Sequence, residues 1–152
     1  MTDIETRGDI DRLMHVFYER VLVDDVIGFI FTDIAKLDLE HHLLIIGDFW
    51  ESLLFNTAAY SKHGRNPLVV HKELHEKLPL TSAHFERWLE IFTATIDKMF
   101  AGERADFLKT RAVSIAGRMQ AFLTGDDRPE VSPVEIDAST QRAARGSQNR
   151  EQ

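Results

Sequence analysis

The chain has 152 residues, of which 43% are hydrophobic, and it carries a formal net charge of −7. That length is enough for one domain with a sizeable core, and the acidic balance gives no indication of nucleic acid or an anionic membrane as a partner. There is no membrane-length apolar run and no signal-peptide pattern, so a cytoplasmic protein is the simplest interpretation, and the lack of cysteine excludes disulfides, thiolate-ligated zinc and iron–sulfur clusters.

The first long helix is predicted over residues 9–23. Residues 1–8 before it are polar, and we expect them to be loose. Asp9 can accept hydrogen bonds from the free amides at a helix start. The helix itself is predicted from apolar residues at helical spacing, namely Ile10, Leu13, Met14, Phe17, Tyr18 and Val21.

A short apolar segment separates this helix from the next one. Residues 26–31 are too few for a surface helix and predict a tight helical turn with Phe31 pointing inward. Asp38 is placed to cap a second long helix over 38–56. His42 lies on the apolar side of that helix, because it precedes Ile46 by one turn.

The second half of the chain predicts three more helices. Pro67 suits the first turn of a short helix that ends by about residue 76. Apolar periodicity predicts long helices over 82–100 and 103–123, with Gly102 ending the first of them as a left-handed cap. No alternating strand pattern occurs, so the fold class is all-α.

The composition changes near residue 125. Residues 126–152 are rich in proline, serine, glutamine and arginine and contain few apolar side chains. Such a segment buries too little surface to offset the entropy of ordering. We therefore expect a helical domain over 1–125 and a flexible polar tail over 126–152.

Two histidines one helical turn apart are the most suggestive feature of the chain. His71 and His75 share one face of the short helix, and three interpretations compete. One of them ligates a haem iron, or both bind a non-haem metal together with Glu73, Glu76 or His42, or they are only the polar face of a surface helix. The sequence alone leaves these alternatives open.

The surrounding pattern narrows the kinds of metal site. The pair does not read His-Glu-x-x-His, so a zinc protease is excluded. The long helices carry aromatic and aliphatic residues on their inner faces where a carboxylate-bridged di-iron bundle needs glutamates. Such a lining suits a large, flat, apolar ligand.

Five motifs in order resemble the truncated haemoglobins, specifically the third group of that family. The resemblance covers about residues 9–123. The motifs are Phe17-Tyr18-Glu19-Arg20-Val21, Gly28-x-Ile30-Phe31, His42-x-x-x-Ile46-Gly47-Asp48-Phe49-Trp50, Asn66-Pro67-Leu68-x-x-His71, and His84-Phe85-x-Arg87-Trp88-Leu89-x-x-Phe92.

The resemblance implies a two-over-two helical sandwich around haem. By position, Tyr18 matches the distal tyrosine, His42 the distal histidine, and Trp88 the distal tryptophan. Phe31 matches a phenylalanine at the haem edge, and Ile46 falls in the same helix motif as His42. All five residues are expected to contact the cofactor, and the first three its diatomic ligand.

The proximal ligand is expected on the short helix. The Pro-Leu-x-x-His register favours His71 as the iron ligand, while the interval from His75 to Trp88 resembles intervals in other truncated groups. The histidine that is not the ligand still lies near the porphyrin. The cations available for haem propionates are Arg65, Lys72, Lys77 and Arg87.

The resemblance implies reversible binding of oxygen, nitric oxide or another diatomic ligand to a haem b. Without cysteine, covalent c-type attachment is excluded. Nitric oxide dioxygenation or peroxidase-like chemistry is a further expectation and would need an external reductase. The alternatives are a non-haem metal protein using His71, His75 and His42, and a helical interaction module with no cofactor.

Overall fold

The computed structural model describes residues 1–63 and 67–124. Within these ranges the chain is helical without a strand, which confirms the predicted all-α class. A π-helical turn, Ile30–Ile34, and a 3-10 helix, Ala59–His63, join longer elements. The α-helices are α1 (Arg7–Leu22), α2 (Leu39–Phe55), α3 (Pro67–Lys77), α4 (Ser82–Met99) and α5 (Glu103–Leu123). The predicted tail, 126–152, lies outside the described residues.

The start of α1 is set by a reciprocal cap. The hydroxyl of Thr6 accepts a hydrogen bond from the backbone N–H of Asp9 at 3.2 Å. In return the Asp9 carboxylate accepts from the backbone N–H groups of Glu5 and Thr6 at 2.8 and 3.1 Å. Thr6 is therefore the cap, and α1 begins two residues before the predicted start because Asp9 is its third residue.

The expectation that residues 1–8 are loose is wrong. Ile4 is 0% exposed and belongs to the main apolar core. The Asp3 carboxylate accepts hydrogen bonds from the backbone N–H groups of Arg104 and Ala105, both at 2.9 Å. Burial acts to raise the pKa of Asp3, but the backbone donors outweigh it, so its pKa is lowered. The segment before α1 thus caps α5.

Gly102 serves the start of α5 and not the end of α4. Its φ is 147° and ψ −173°, a conformation that side chains rarely adopt. A Cβ there would stand 2.5 Å from Cγ of Asp3. Glycine is required because the capping carboxylate occupies that space, whereas α4 ends at the extended residue Phe100.

The helices form two packed pairs. α1 packs on α2, α4 packs on α5, and α1 crosses to contact α4. This is the predicted two-over-two arrangement, and α3 joins it through contacts with α5. In the described part of the chain, no helix combines the length and the low polarity that crossing a lipid bilayer requires.

The inner face of α2 is only partly covered. Among the large apolar side chains of α2, Trp50 alone is buried. Most of the others remain half-buried and pack at the margin of the core, as do several large side chains of α3 and α4. These half-buried residues include Leu43, Ile46, Leu53, Leu74, Phe85 and Leu89.

Candidate functional site

Tyr18 and His42 meet between α1 and α2. The phenol oxygen lies 2.8 Å from Nε2 of the imidazole, and the rings meet edge to face with centroids 5.2 Å apart. Phe31, on the π-helical turn, packs its ring edge against Tyr18 at 6.1 Å. Tyr18 is only 4% exposed, so the pair forms a polar spot in apolar surroundings.

Burial keeps both members of this pair uncharged. It lowers the pKa of His42 to about 4, helped by the nearby charges of His71 and His41. It also raises the pKa of the Tyr18 phenol. At neutral pH the pair is therefore a phenol and a neutral imidazole. Either the phenol O–H donates to Nε2 or Nε2–H donates to the phenol oxygen, and the tautomer of His42 determines which.

Trp88 belongs to the same region through its neighbours. It lies stacked on Phe92, with centroids 5.0 Å apart and planes 8° apart. Phe17 presents its edge to Trp88 at 5.7 Å and to Tyr18 at 5.0 Å. The structure thus brings Tyr18, His42 and Phe31 into direct contact and joins Trp88 to them through Phe17.

The two histidines of α3 carry their protons on different nitrogens. Nδ1 of His71 lies 2.8 Å from the carbonyl oxygen of Pro67. Since a carbonyl can only accept, Nδ1 donates and Nε2 keeps its lone pair. Burial lowers the pKa of His71, which favours this neutral form. His71 therefore presents an unprotonated nitrogen fixed in orientation, as a metal ligand requires.

His75 has the opposite arrangement. Its Nδ1 accepts a hydrogen bond from the backbone N–H of Leu80 at 2.9 Å, so in the neutral ring the proton lies on Nε2. This bond closes the loop after α3. His75 cannot offer Nε2 to a metal while it holds that tautomer.

The three-histidine metal site is not assembled. Throughout 1–63 and 67–124, no group of three His, Asp or Glu side chains is arranged to hold a metal ion. His75 is held by Leu80, which separates its role from that of His71. The non-haem metal alternative on His71, His75 and His42 therefore has no support from the geometry.

Arg87 is not a free cation for an acidic ligand group. Its Nε and Nη2 donate to one oxygen of Asp24 at 2.8 and 2.6 Å. That hydrogen bond, with those from the backbone N–H groups of Val26 and Ile27, lowers the pKa of Asp24. Lys72 and Lys77 lie exposed on α3, and Arg65 is outside the described residues.

Sequence reasoning missed the ionic cluster that joins α1, α2 and the 3-10 helix. Nη1 of Arg7 donates to Asp48 at 2.6 Å and to Glu51 at 2.7 Å. The second oxygen of Asp48 lies 2.7 Å from Nε2 of His63. The sequence feature that could have indicated this cluster is Gly47 inside α2. Its missing side chain leaves the space that the guanidinium of Arg7 fills.

Comparisons with known proteins give a consistent result. No family model matches the chain. It is 32% identical over 117 residues to the Group 3 truncated hemoglobin ctb of Campylobacter jejuni. This alignment covers 75% of this chain and 87% of that protein. The fold matches the crystal structure of group III truncated hemoglobin from Campylobacter jejuni with a TM-score of 0.69 and 29% identity, over 81% of this chain and 95% of that one.

Proposed function

The chain belongs to the group III truncated haemoglobins, a globin family that implies haem binding, and from this premise we propose that it holds a haem b non-covalently and reversibly binds oxygen or nitric oxide. In this proposal His71 would hold the haem iron through Nε2. Tyr18, His42 and Trp88 line the distal side, where the diatomic ligand sits. Phe31 and Ile46 contact the cofactor, and His75 holds the loop beside it.

The hydrogen bond from Nδ1 of His71 to Pro67 is the observation that carries the proposal. It leaves the lone pair of Nε2 available to a metal, and His71 lies close enough to His42 to influence the pKa of that ring. A histidine fixed through its second nitrogen is oriented before it binds metal and is a stronger ligand. His75 has its equivalent nitrogen occupied by Leu80.

The half-buried apolar side chains at the margin of the core suit the body of the cofactor. Many of them come from α2, α3 and α4. A large, flat prosthetic group is held mainly by apolar surface, since fully burying one large apolar side chain contributes about 1.5–3 kcal/mol. The 152 residues contain no cysteine for a covalent link to it.

When bound, the haem supplies the iron on which a diatomic molecule sits, and the distal side chains decide which molecule is favoured. If Nε2–H of His42 donates to the phenol oxygen of Tyr18, the phenol O–H is free to point at the ligand. A hydrogen bond to a group bearing partial negative charge is roughly twice as strong as a neutral one. This arrangement favours oxygen over carbon monoxide, which stays nearly neutral.

Nitric oxide dioxygenation and peroxidase-like reduction are the redox activities that such a pocket supports. The distal phenol O–H and the imidazole N–H would be the exchangeable protons nearest to the ligand. Sustained turnover draws electrons from an external reductase.

Absorption spectroscopy tests the proposal directly. Purified protein supplied with haem should show a Soret band, and its ferrous carbon monoxide form should have the spectrum of a histidine-ligated haem. His71→Ala should weaken haem retention severely, and added imidazole should restore it. His75→Ala is the matched control and should keep the wild-type spectrum. Protein that shows no Soret band after haem is supplied contradicts the proposed function.

A further inference from the structure

A continuous string of aromatic rings leads from the distal region towards the surface. Successive ring centroids along it are 5.0, 5.2, 5.1 and 5.3 Å apart, within the range of favourable aromatic contacts. We call it the aromatic string, and its members in order are Trp88, Phe92, Trp50, Phe49 and Tyr60. Tyr18 reaches its inner end through Phe17.

The string contains nearly all of the readily oxidised aromatic side chains of the protein. The chain has two tryptophans and two tyrosines. Both tryptophans and Tyr60 are members, and Tyr18 is one ring away. Consecutive oxidisable rings within the string are separated by a single phenylalanine, so an electron that moves from one oxidisable ring to the next passes only one other ring.

Trp50 has an unusual environment at the middle of the string. It is 2% exposed, and its indole N–H is buried without a hydrogen-bond partner in the described structure. A buried donor without a partner lowers the stability of the fold. When the indole loses an electron, its N–H becomes acidic, but here no acceptor takes the proton. The oxidised ring therefore stays a strong one-electron oxidant and withdraws an electron from the next oxidisable ring.

Tyr60 differs from Trp50 because it is only half-buried, on the 3-10 helix at the outer end of the string. A phenol that loses an electron also loses its proton, and this residue is partly exposed to solvent. The neutral phenoxyl radical that results is a weaker oxidant than the tryptophan radical cation. When oxidation passes outward along the string, the radical is therefore expected to form finally on Tyr60.

We propose that the aromatic string carries electrons from Tyr60 through Trp50 and Trp88 to the haem pocket when hydrogen peroxide is reduced there. The proposal rests on the proposed function, since it requires haem. Each passage converts Tyr60–OH to Tyr60–O•, one electron and one proton released to water. Two passages supply the two electrons that turn one peroxide and two protons into two water molecules. A one-electron reductant such as ascorbate restores Tyr60 after each passage, so Tyr60 is where small reductants deliver electrons.

The test traps the radical in haem-loaded protein. Ferric protein that shows a Soret band is mixed with an equimolar amount of hydrogen peroxide, frozen for electron paramagnetic resonance, and in parallel treated with a nitroso spin trap for peptide mass spectrometry. Wild type should give a tyrosyl signal and an adduct on Tyr60. Trp50→Phe keeps an aromatic ring at this position but removes the oxidisable indole, and it should lose the Tyr60 adduct. Tyr60→Phe should replace the tyrosyl signal with a tryptophan signal.

Phe122→Leu is the matched control, because it removes a partly exposed ring that is not a member of the string. It should give the wild-type radical. If haem-loaded Trp50→Phe labels Tyr60 as wild type does, or wild type never labels Tyr60, the string is refuted while the haem function stands. If no Soret band forms, the proposed function fails and the string fails with it.

Discussion

The hydrogen bond between Tyr18 and His42 makes a quantitative prediction for oxygen release. Tyr18→Phe removes the phenol but keeps the ring that packs on Phe17 and Phe31. A donor held against partial negative charge in a dry pocket is worth about 1.5–3 kcal/mol. Since each 1.4 kcal/mol is a factor of ten, oxygen should dissociate roughly one to two powers of ten faster, and carbon monoxide affinity should change little.

His42 should act on oxygen largely through Tyr18. The imidazole lies 2.8 Å from the phenol and orients it, so His42→Leu frees the phenol to turn away from the ligand. Oxygen release should then accelerate, but by less than in Tyr18→Phe. The double variant should release oxygen as Tyr18→Phe does, because the orienting residue has nothing left to orient.

Stopped-flow measurement of oxygen dissociation from the ferrous protein decides between these outcomes. Carbon monoxide affinity is measured on the same samples and reports general damage to the pocket. Additive effects of the two substitutions would mean that His42 and Tyr18 contact the ligand independently. Release from Tyr18→Phe at the wild-type rate would show that the phenol only packs against its neighbours, and the distal assignment would be wrong.

Three further predictions concern the proximal ligand, the ionic cluster and acid stability. His71→Ala should titrate haem far more weakly than His75→Ala in a Soret titration, and equal weakening would show that the tautomer argument fails. Gly47→Ala should be less stable than Gly117→Ala in urea unfolding, because its Cβ would stand 2.6 Å from Nη2 of Arg7 and would displace that guanidinium from Asp48 and Glu51. Gly117→Ala on the exposed side of α5 should be neutral or stabilising. The pKa of Asp24 is lower in the folded protein than in the unfolded chain, where it is near 3.9. The ionised carboxylate therefore stabilises the fold above that unfolded pKa, and this stabilisation is lost as pH falls through the folded pKa. Asp24→Asn should lower the urea midpoint at pH 7, and its midpoint should converge with that of wild type in strong acid.

Local patterns predicted the helices well because their causes are local. Pro67 begins α3 and Asp38 caps α2, as the sequence predicts, since each acts on amides within a few residues. The apolar spacing of α1 likewise predicted its buried face, including Phe17 and Tyr18. The two-over-two arrangement came from the family resemblance, because helix periodicity does not determine which faces meet.

The misses all depend on contacts between distant parts of the chain. Asp3 caps a helix that begins a hundred residues later, so a local reading of a polar segment could only predict a loose end. Asp24 and Arg87 are 63 residues apart, and nothing near either position indicates the partner. The different tautomers of His71 and His75 could not be predicted from the sequence, because the two nitrogens of a ring are distinguished only by what each one contacts.

The contacts of Thr2, Asp3 and Ile4 with residues 101–105 have a consequence for synthesis. The backbone N–H of Ala101 donates to the carbonyl of Thr2 at 3.0 Å, so the earliest residues of this segment settle only after α4 is complete. On the ribosome they emerge about a hundred residues before residues 101–105 and wait for these partners, because domains are made from the amino end onward. Contacts that form late in folding act on the unfolding rate. Replacing Ile4 with alanine should therefore speed unfolding and leave the folding rate almost unchanged, and a slower folding rate would show that this segment docks early.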